Sequence, residues 1–189
     1  MIEWAVYYAI YWIAGLSLKI GDDLLDELDR PKYAWAPLTI AGASFGLLMS
    51  ASQWDLALLV SIIIGVVVSG KVNRPQFAVG FVAIAFVLAV RGLPQITGPL
   101  WWSLIVMVLL IAAAADEYGN DWADDRTNGI GRAFFEHRFV LKITTIVLGV
   151  IVTPFFAAAV GMWIFDAGYE IAGRLTKSYA DRQGYSTHP

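Results

Sequence analysis

Six apolar stretches, at about 4–20, 35–53, 55–72, 76–92, 98–115 and 139–165, take up most of this chain. Such runs approach the roughly 20 residues that cross a bilayer, several at the short end of that range. In hydrocarbon every backbone N–H and C=O must be satisfied within the segment or its neighbours, which leaves helices as the natural solution. The expected fold is all-α, a polytopic transmembrane helical bundle of about six spans over residues 1–165. Residues 166–189 read as an interfacial amphipathic segment and a polar tail. Composition agrees, with 58% hydrophobic and 15% charged residues and a mean hydropathy of +0.63. Trp4, Trp35, Trp54, Trp101 and Trp102 fall near span ends, where interfacial anchors belong.

Other classes are set aside quickly. A net charge of −3 gives no footprint for nucleic acid, and the lack of Cys excludes disulfides and thiol chemistry. The opening Met1-Ile2-Glu3-Trp4 has no basic region, so the first span reads as a retained helix rather than a cleaved signal. Gln53-Trp54-Asp55, Asn73-Arg74-Pro75 and Arg91-Gly92-Leu93-Pro94 are tight connections. The last stretch carries Pro154 midway. We read it as one kinked helix, with a re-entrant pair as the alternative.

Ten of the sixteen carboxylates sit in two clusters, each at the end of an apolar span. The first holds Asp22, Asp23, Asp26, Glu27 and Asp29; the second holds Asp116, Glu117, Asp121, Asp124 and Asp125. Asp22, Asp26 and Asp29 stand at i, i+4 and i+7, as do Glu117, Asp121 and Asp124, so either triple on a helix makes one stripe of oxygens. Gly119 is a place where the second helix would break. Asp22-Asp23-x-x-Asp26 and Asn120-Asp121-x-x-Asp124 also match locally, 98 residues apart. If six spans alternate, both clusters lie on one side. Nine basic residues share it, Lys19, Arg30, Lys32, Lys71, Arg74, Arg126, Arg132, Arg138 and Lys142, against Arg91, Arg174, Lys177 and Arg182 opposite. The positive-inside rule makes that side cytoplasmic in an integral membrane protein.

Packed carboxylates repel one another, and a solvated acidic face is the plain reading of a single cluster. Two matched clusters on one side, with basic residues between and after them, suit divalent cations better. Mg²⁺ is commonly held by one or two carboxylates, several waters and the oxygens of a bound phosphate. The carboxylates of the two clusters are the candidate metal-binding groups.

These motifs resemble those of the UbiA superfamily of intramembrane prenyltransferases. Its first motif is Asn-Asp-x-x-Asp-x-x-x-Asp, often followed by a basic residue and Pro. Here the chain reads Asp22-Asp23-x-x-Asp26-x-x-Asp29-Arg30-Pro31. The second, Asp-x-x-x-Asp followed by Arg and Gly, corresponds to Asp121-x-x-x-Asp125-Arg126, then Gly129 and Gly131. Four spans separate the motifs here, as in the family. Asp22 replaces the usual Asn, the third Asp comes one residue early, and an N-terminal helix and two C-terminal ones have no counterpart. The resemblance covers about residues 20–145 and describes a reduced or divergent member.

The resemblance implies Mg²⁺ as cofactor and a prenyl diphosphate as substrate. One ion would be held by Asp22, Asp23 and Asp26, another by Asp121, Asp124 and Asp125, with Asp26 and Asp121 foremost for catalysis. Lys32, Arg126, Arg132 and Arg138 would grip diphosphate oxygens, and apolar residues of the spans would line a slot for the isoprenoid tail. A shortened chain also allows a homo-oligomer to complete the site, and membrane lipid is the surrounding partner.

Other residues have plainer readings. His137 and Glu136, at the start of the last span, read as interfacial, with a metal or proton role as the alternative for His137. Lys142 reads as snorkelling to headgroups. Gly42, Gly46 and Gly65 read as close-packing positions between helices. Gly129-Ile130-Gly131 fits a flexible loop as well as a phosphate approach. Two further functions stand beside the transferase: a divalent-cation transporter or channel, and a non-catalytic membrane subunit. A conducting path needs polar groups at membrane depth, and Leu56–Val68 and Leu104–Ala115 hold almost none beyond Ser61.

Overall fold

The computed structural model describes residues 3–70, 72, 74–124 and 139–183. They form seven α-helices: α1 (Trp4–Asp26), α2 (Pro31–Ala51), α3 (Gln53–Val68), α4 (Phe77–Arg91), α5 (Pro99–Asp124), α6 (Phe139–Ile151) and α7 (Phe156–Gln183). A short 3₁₀ turn, Thr153–Phe155, precedes α7. There is no strand among the described residues. The all-α expectation holds. Among the described residues three segments are long and apolar enough to cross a membrane: Pro31–Ala51, Pro99–Gly119 and Thr153–Ala180. The apolar helices α3, α4 and α6 have 16, 15 and 13 residues. At about 1.5 Å per residue each falls short of a hydrocarbon core of about 30 Å.

Large apolar side chains lie on the surface as well as in the core. Val82, Phe86, Val90, Leu100, Trp101 and Val150 are exposed, whereas Asp23, Asp55, Asp116, Glu117, Lys142 and Thr145 are buried. Apolar surface on this scale has a natural partner in lipid.

The chain divides into two compact units. Unit 1 comprises residues 1–50, 74–93 and 163–189, and unit 2 residues 51–73 and 94–162. Unit 1 is built from α1, α2, α4 and most of α7. Small residues let these helices approach to backbone distance. A Cβ on Gly42 of α2 would come within 2.7 Å of the Gly80 Cα on α4, and one on Gly46 within 2.7 Å of the Val87 Cβ. The sequence reading of Gly42 and Gly46 as contact positions is seen here directly. The first turn of α2 closes on α1 through Leu25, Ala34 and Leu38, with Leu18, Leu24, Phe77 and Val79 against them.

In unit 2, α3 packs on α5 and α5 on α6. Gly65 faces Ala113, where an added Cβ would lie 3.1 Å from the Ala113 Cβ. Ser52 caps α3: its hydroxyl accepts from the Asp55 amide (3.1 Å) and donates to the Asp55 carboxylate (2.6 Å). The Gln53 side chain clasps Thr97 through two hydrogen bonds of 2.7 Å. Ser61 sends its hydroxyl to the Ala57 and Val106 carbonyls, at 2.7 and 3.0 Å. The one polar side chain between Leu56 and Val68 therefore ties α3 to α5.

Several expectations are corrected. The stretch 139–165 is not one kinked helix. Val152 leaves the helical region, Pro154 sits in the 3₁₀ turn, and α7 begins at Phe156. A Cβ on Gly149 would touch Phe156 and Ala159, both at 3.3 Å. In a continuous helix residues 149 and 159 would be about 15 Å apart, so the chain turns sharply between α6 and the first residues of α7. Proline supplies the break, because it has no N–H to donate and crowds the preceding turn. α7 then runs unbroken through Asp166 to Gln183. Of the tryptophans, Trp4, Trp35 and Trp101 are exposed as expected of anchors. Trp102 instead donates to the Gln53 carbonyl at 2.7 Å, and Trp54 packs edge-on against Phe155 at 6.4 Å.

The α2–α4 contact has a direct consequence. Gly42→Ala places a methyl where the Gly80 backbone stands and is expected to destabilise unit 1 by about 1–3 kcal/mol. A lower melting temperature in detergent is the readout; an unchanged one would mean that the two helices do not meet at this distance.

Candidate functional site

The first acidic cluster lies in unit 1 at the end of α1. The helix ends at Asp26: the Glu27 and Leu28 amides both reach the Asp23 carbonyl (2.9 Å), and the Arg30 amide reaches Leu24 (2.7 Å). Asp29 has a positive φ of 46°, which Asp tolerates better than most residues, and Pro31 then opens α2. The expected stripe Asp22–Asp26–Asp29 is therefore cut short. Asp22 and Asp26 are helical, whereas Asp29 is not.

Within α1 the carboxylates are already engaged. Lys19 Nζ lies 2.7 Å from Asp23 Oδ1 and 3.8 Å from Asp22 Oδ2. Asp23 is buried, and removing one partner of such a pair typically costs about 3–5 kcal/mol. Asp26 is exposed, with Arg74 at 4.0 Å, a pair worth little on its own. Lys32 is exposed on the first turn of α2.

α7 completes this site. A Cβ on Gly168 would come within 2.6 Å of the Trp12 carbonyl oxygen, and one on Gly15 within 2.8 Å of the Phe165 carbonyl carbon. Only glycine permits this approach, and it delivers Tyr169 to the carboxylates. The Tyr169 hydroxyl donates to Asp22 Oδ2 at 3.3 Å, and its ring lies 5.2 Å from Lys19 Nζ. Phe165 stacks on Tyr169 at 6.3 Å, and Phe45 lies 5.7 Å beyond Phe165. Beside this row runs an apolar groove of about 280 Å³. Leu16, Ile20 and Leu24 of α1 with Leu28 just beyond it form one wall, and Ala172, Leu175, Thr176 and Tyr179 of α7 the other.

The second cluster belongs to unit 2. α5 continues through Gly119 to Asp124, so the expected break at Gly119 does not occur, and positions 117, 121 and 124 are all helical. Asp116 and Glu117 are buried. The Asp116 carboxylate accepts from the Val140 amide (3.0 Å) and the Leu141 amide (2.7 Å), neutralising the amino end of α6. Lys142 is also buried, 5.3 Å from the Phe139 ring. That corrects its reading as a snorkelling residue. Asp125, Arg126, Gly129, Gly131, Arg132, Glu136, His137 and Arg138 lie outside the described residues.

Thus Asp22, Asp23 and Asp26 gather at one helix end, whereas the helical positions 121 and 124 belong to a separate unit. Among the described residues no group of three or more acidic or His side chains closes on a common point. Sequence reasoning did not single out Lys19 as a partner of the cluster, although its i, i+4 spacing to Asp23 was a readable signal. Ser52-x-x-Asp55 was likewise a legible capping box. Tyr169 had no such signal, being 147 residues from Asp22. Comparison with protein-family models, curated proteins and solved structures yields no match.

Asp22 lies beyond the apolar span 4–20. Burial pushes its carboxyl upward from the ordinary value; Lys19 pulls it back, Asp26 and Asp23 push it up, and the Tyr169 hydroxyl lowers it. A raised folded-state value means that the native state holds this proton more tightly. The associated stability is complete below the unfolded carboxylate range and is lost as pH rises through the folded value. Asp22→Asn is expected to melt above the wild type at neutral pH, by a margin that shrinks on acidification. Melts at neutral and mildly acidic pH check this; a lower melting point at neutral pH contradicts it.

Asp116→Ala removes the acceptor for two α6 amides and is expected to cost about 1–2 kcal/mol. Hydrogen exchange should quicken selectively at Val140 and Leu141. If those amides stay protected, the carboxylate is not their partner.

Proposed function

We propose that this protein is an intramembrane, Mg²⁺-dependent enzyme that transfers a prenyl group from a prenyl diphosphate to a lipid or aromatic acceptor. One observation carries the reading: α1 holds, on adjoining faces, carboxylates that converge on a cation and an apolar stripe that walls a groove. A substrate with a metal-bound anionic head and a hydrocarbon tail needs both features side by side. Carboxylate oxygens are the ligand type a hard cation takes. Asp22 and Asp23 are paired with Lys19, and the exposed Asp26 stands one turn from Asp22.

Asp22, Asp23 and Asp26 would hold one Mg²⁺, and Asp121, Asp124 and Asp125 a second. When bound, the ions would supply charge neutralisation to the departing diphosphate. Lys32, Arg126, Arg132 and Arg138 would bind diphosphate oxygens, Arg through its planar fork and Lys as a point charge. The groove between α1 and α7 would seat the tail and keep water from it. The aromatic row Phe45, Phe165 and Tyr169 offers π faces to positive charge.

The reading includes a topology in which α1 to α5 each cross the bilayer. Four crossings then separate the clusters, and both fall on the cytoplasmic side with the larger share of basic residues. The short helices α3 and α4 cross by local thinning of the bilayer. Whether α6 and α7 make one or two crossings moves the C-terminus but not the clusters. Cation transport is less well supported, because Ser61 spends its hydroxyl on backbone carbonyls.

The test is turnover of radiolabelled prenyl diphosphates by the purified protein in lipid. Activity should vanish with EDTA and return with Mg²⁺. Asp26→Ala and Asp121→Ala should each lose at least about 100-fold, the scale on which a metal ligand or its partner matters. Full turnover in both variants would refute the site.

A further inference from the structure

Contacts inside each unit record the direction in which its helices run. In unit 2 the starts of α3 and α5 meet, where Trp102 donates to the Gln53 carbonyl at 2.7 Å. Further along, Ser61 reaches Val106 at 3.0 Å and Gly65 faces Ala113, so the two helices are parallel. α6 runs the other way. Its first amides sit on Asp116 in the later part of α5, and the turn after it sets Phe155 against Trp54 at the start of α3.

In unit 1, Gly42 meets Gly80 and Gly46 meets Ile84 and Val87, so α2 and α4 are parallel. Their ends are tied together, the Arg91 guanidinium donating to the Ser50 hydroxyl at 2.9 Å. α1 and α7 are parallel too. Gly15 meets Phe165 and Tyr169, and Lys19, one turn on, lies against Gly173, one turn beyond Tyr169. α2 opposes them: Gly21, late in α1, meets Leu38, early in α2, whereas Phe45, late in α2, lies on Phe165. Ser52 alone separates α2 from α3, so α3 starts on the side where α2 ends. Chain order then gives one result. α1, α3, α5 and α7 run one way, and α2, α4 and α6 the other.

We propose that all seven helices cross the bilayer in this alternation, and that the last turns of α7 emerge on the side where α1 ends, with Lys177 and Arg182 on the anionic headgroups of that leaflet. The inference rests on the membrane-spanning reading above and not on the transferase chemistry. A single crossing by α6 and α7 together would leave Arg174, Lys177 and Arg182 opposite the end of α1; the parallel course of α1 and α7 brings them to it. They join Arg30, Lys32 and Arg74 there and leave Arg91 at the other end. Lys and Arg near span ends mark the cytoplasmic side, whose leaflet carries anionic lipid. Lys177 and Arg182 are exposed, and long cationic side chains at span ends reach headgroups. α7 has length to spare, since its 28 residues extend about 42 Å against a hydrocarbon core of about 30 Å. Asp166 and Glu170 within it are partly buried, and Glu170 pairs with Arg174 at 3.6 Å, which is how acids are kept within a span. The short α6 crosses by the same thinning as α3 and α4.

The chain has no Cys, so single cysteines report sides directly. Glu27→Cys marks the end of α1, Gln95→Cys the connection after α4, Thr153→Cys the turn between α6 and α7, and Ser178→Cys the last turns of α7; all four positions are exposed. A membrane-impermeant maleimide is applied to sealed vesicles of either orientation. Glu27→Cys and Ser178→Cys are expected to label from one side, and Gln95→Cys and Thr153→Cys from the other. Thr153→Cys on the side of Glu27→Cys overturns the crossing of α6. Ser178→Cys on the side of Gln95→Cys, or labelled from neither, overturns the course of α7. The headgroup contact is read from melting in nanodiscs of phosphatidylcholine with and without phosphatidylglycerol. The anionic lipid should raise the melting temperature of the wild type, and raise it less in the double variant Lys177→Gln, Arg182→Gln. An equal rise in both, or none in the wild type, overturns that contact. Release of the wild type from vesicles by alkaline carbonate removes the membrane-spanning reading and this inference together.

Discussion

A carboxylate taken out of water must meet a cation or a hydrogen-bond donor where it stands. Among the described residues Asp23, Asp55, Asp116 and Glu117 are all buried. Three of them show how the helices are organised. Asp23 takes the Lys19 ammonium near the end of α1, Asp55 closes the cap that starts α3, and Asp116 receives the first amides of α6. Each sits at a helix terminus or its approach, where unpaired backbone groups and charge can satisfy each other. Apolar surface faces outward over much of the same chain, so these polar contacts carry specificity that the exposed faces do not.

In unit 1 that constraint meets a second one, the close approach of helices through glycine. Gly15 and Gly168 let α1 and α7 touch at backbone distance. Tyr169 is brought to Asp22 as a result, and the apolar stripes of the two helices become walls of one groove. Carboxylates paired with Lys19 and an apolar slot thus share a single helix. A soluble acidic loop would have no use for the slot, and a lipid-facing helix would have no use for the paired carboxylates. Their coincidence is the basis of the proposed function.

The helical class was legible because long apolar runs leave no other way to satisfy the backbone in hydrocarbon, and seven helices follow it closely. The number of crossings was less legible. Apolar length alone joined residues 139–165 into one stretch, while the turn at Pro154 divides it into two helices. The packing role of Gly42, Gly46 and Gly65 could be read from their position inside apolar runs, since a small residue there serves contact better than lipid exposure. The reach of the first acidic stripe could not. Whether the helix stops at Asp26 or continues to Asp29 depends on how the chain turns into Pro31. The fate of Asp116 was equally hidden, because its partners are 24 and 25 residues away.

Sequence by itself determined the apolar helices, the grouping of carboxylates at the ends of two of them, and the Lys19–Asp23 spacing that lets one side chain reach the other. These are local properties, set by the helical period and by the cost of exposing backbone in an apolar medium. Tertiary structure decided which carboxylates are engaged and by what. It set Tyr169 beside Asp22, spent Asp116 on the amino end of α6, buried Lys142, and turned a leucine stripe into a groove. Those outcomes depend on residues far apart in the chain meeting at glycine contacts and helix ends, and no local period encodes such a meeting.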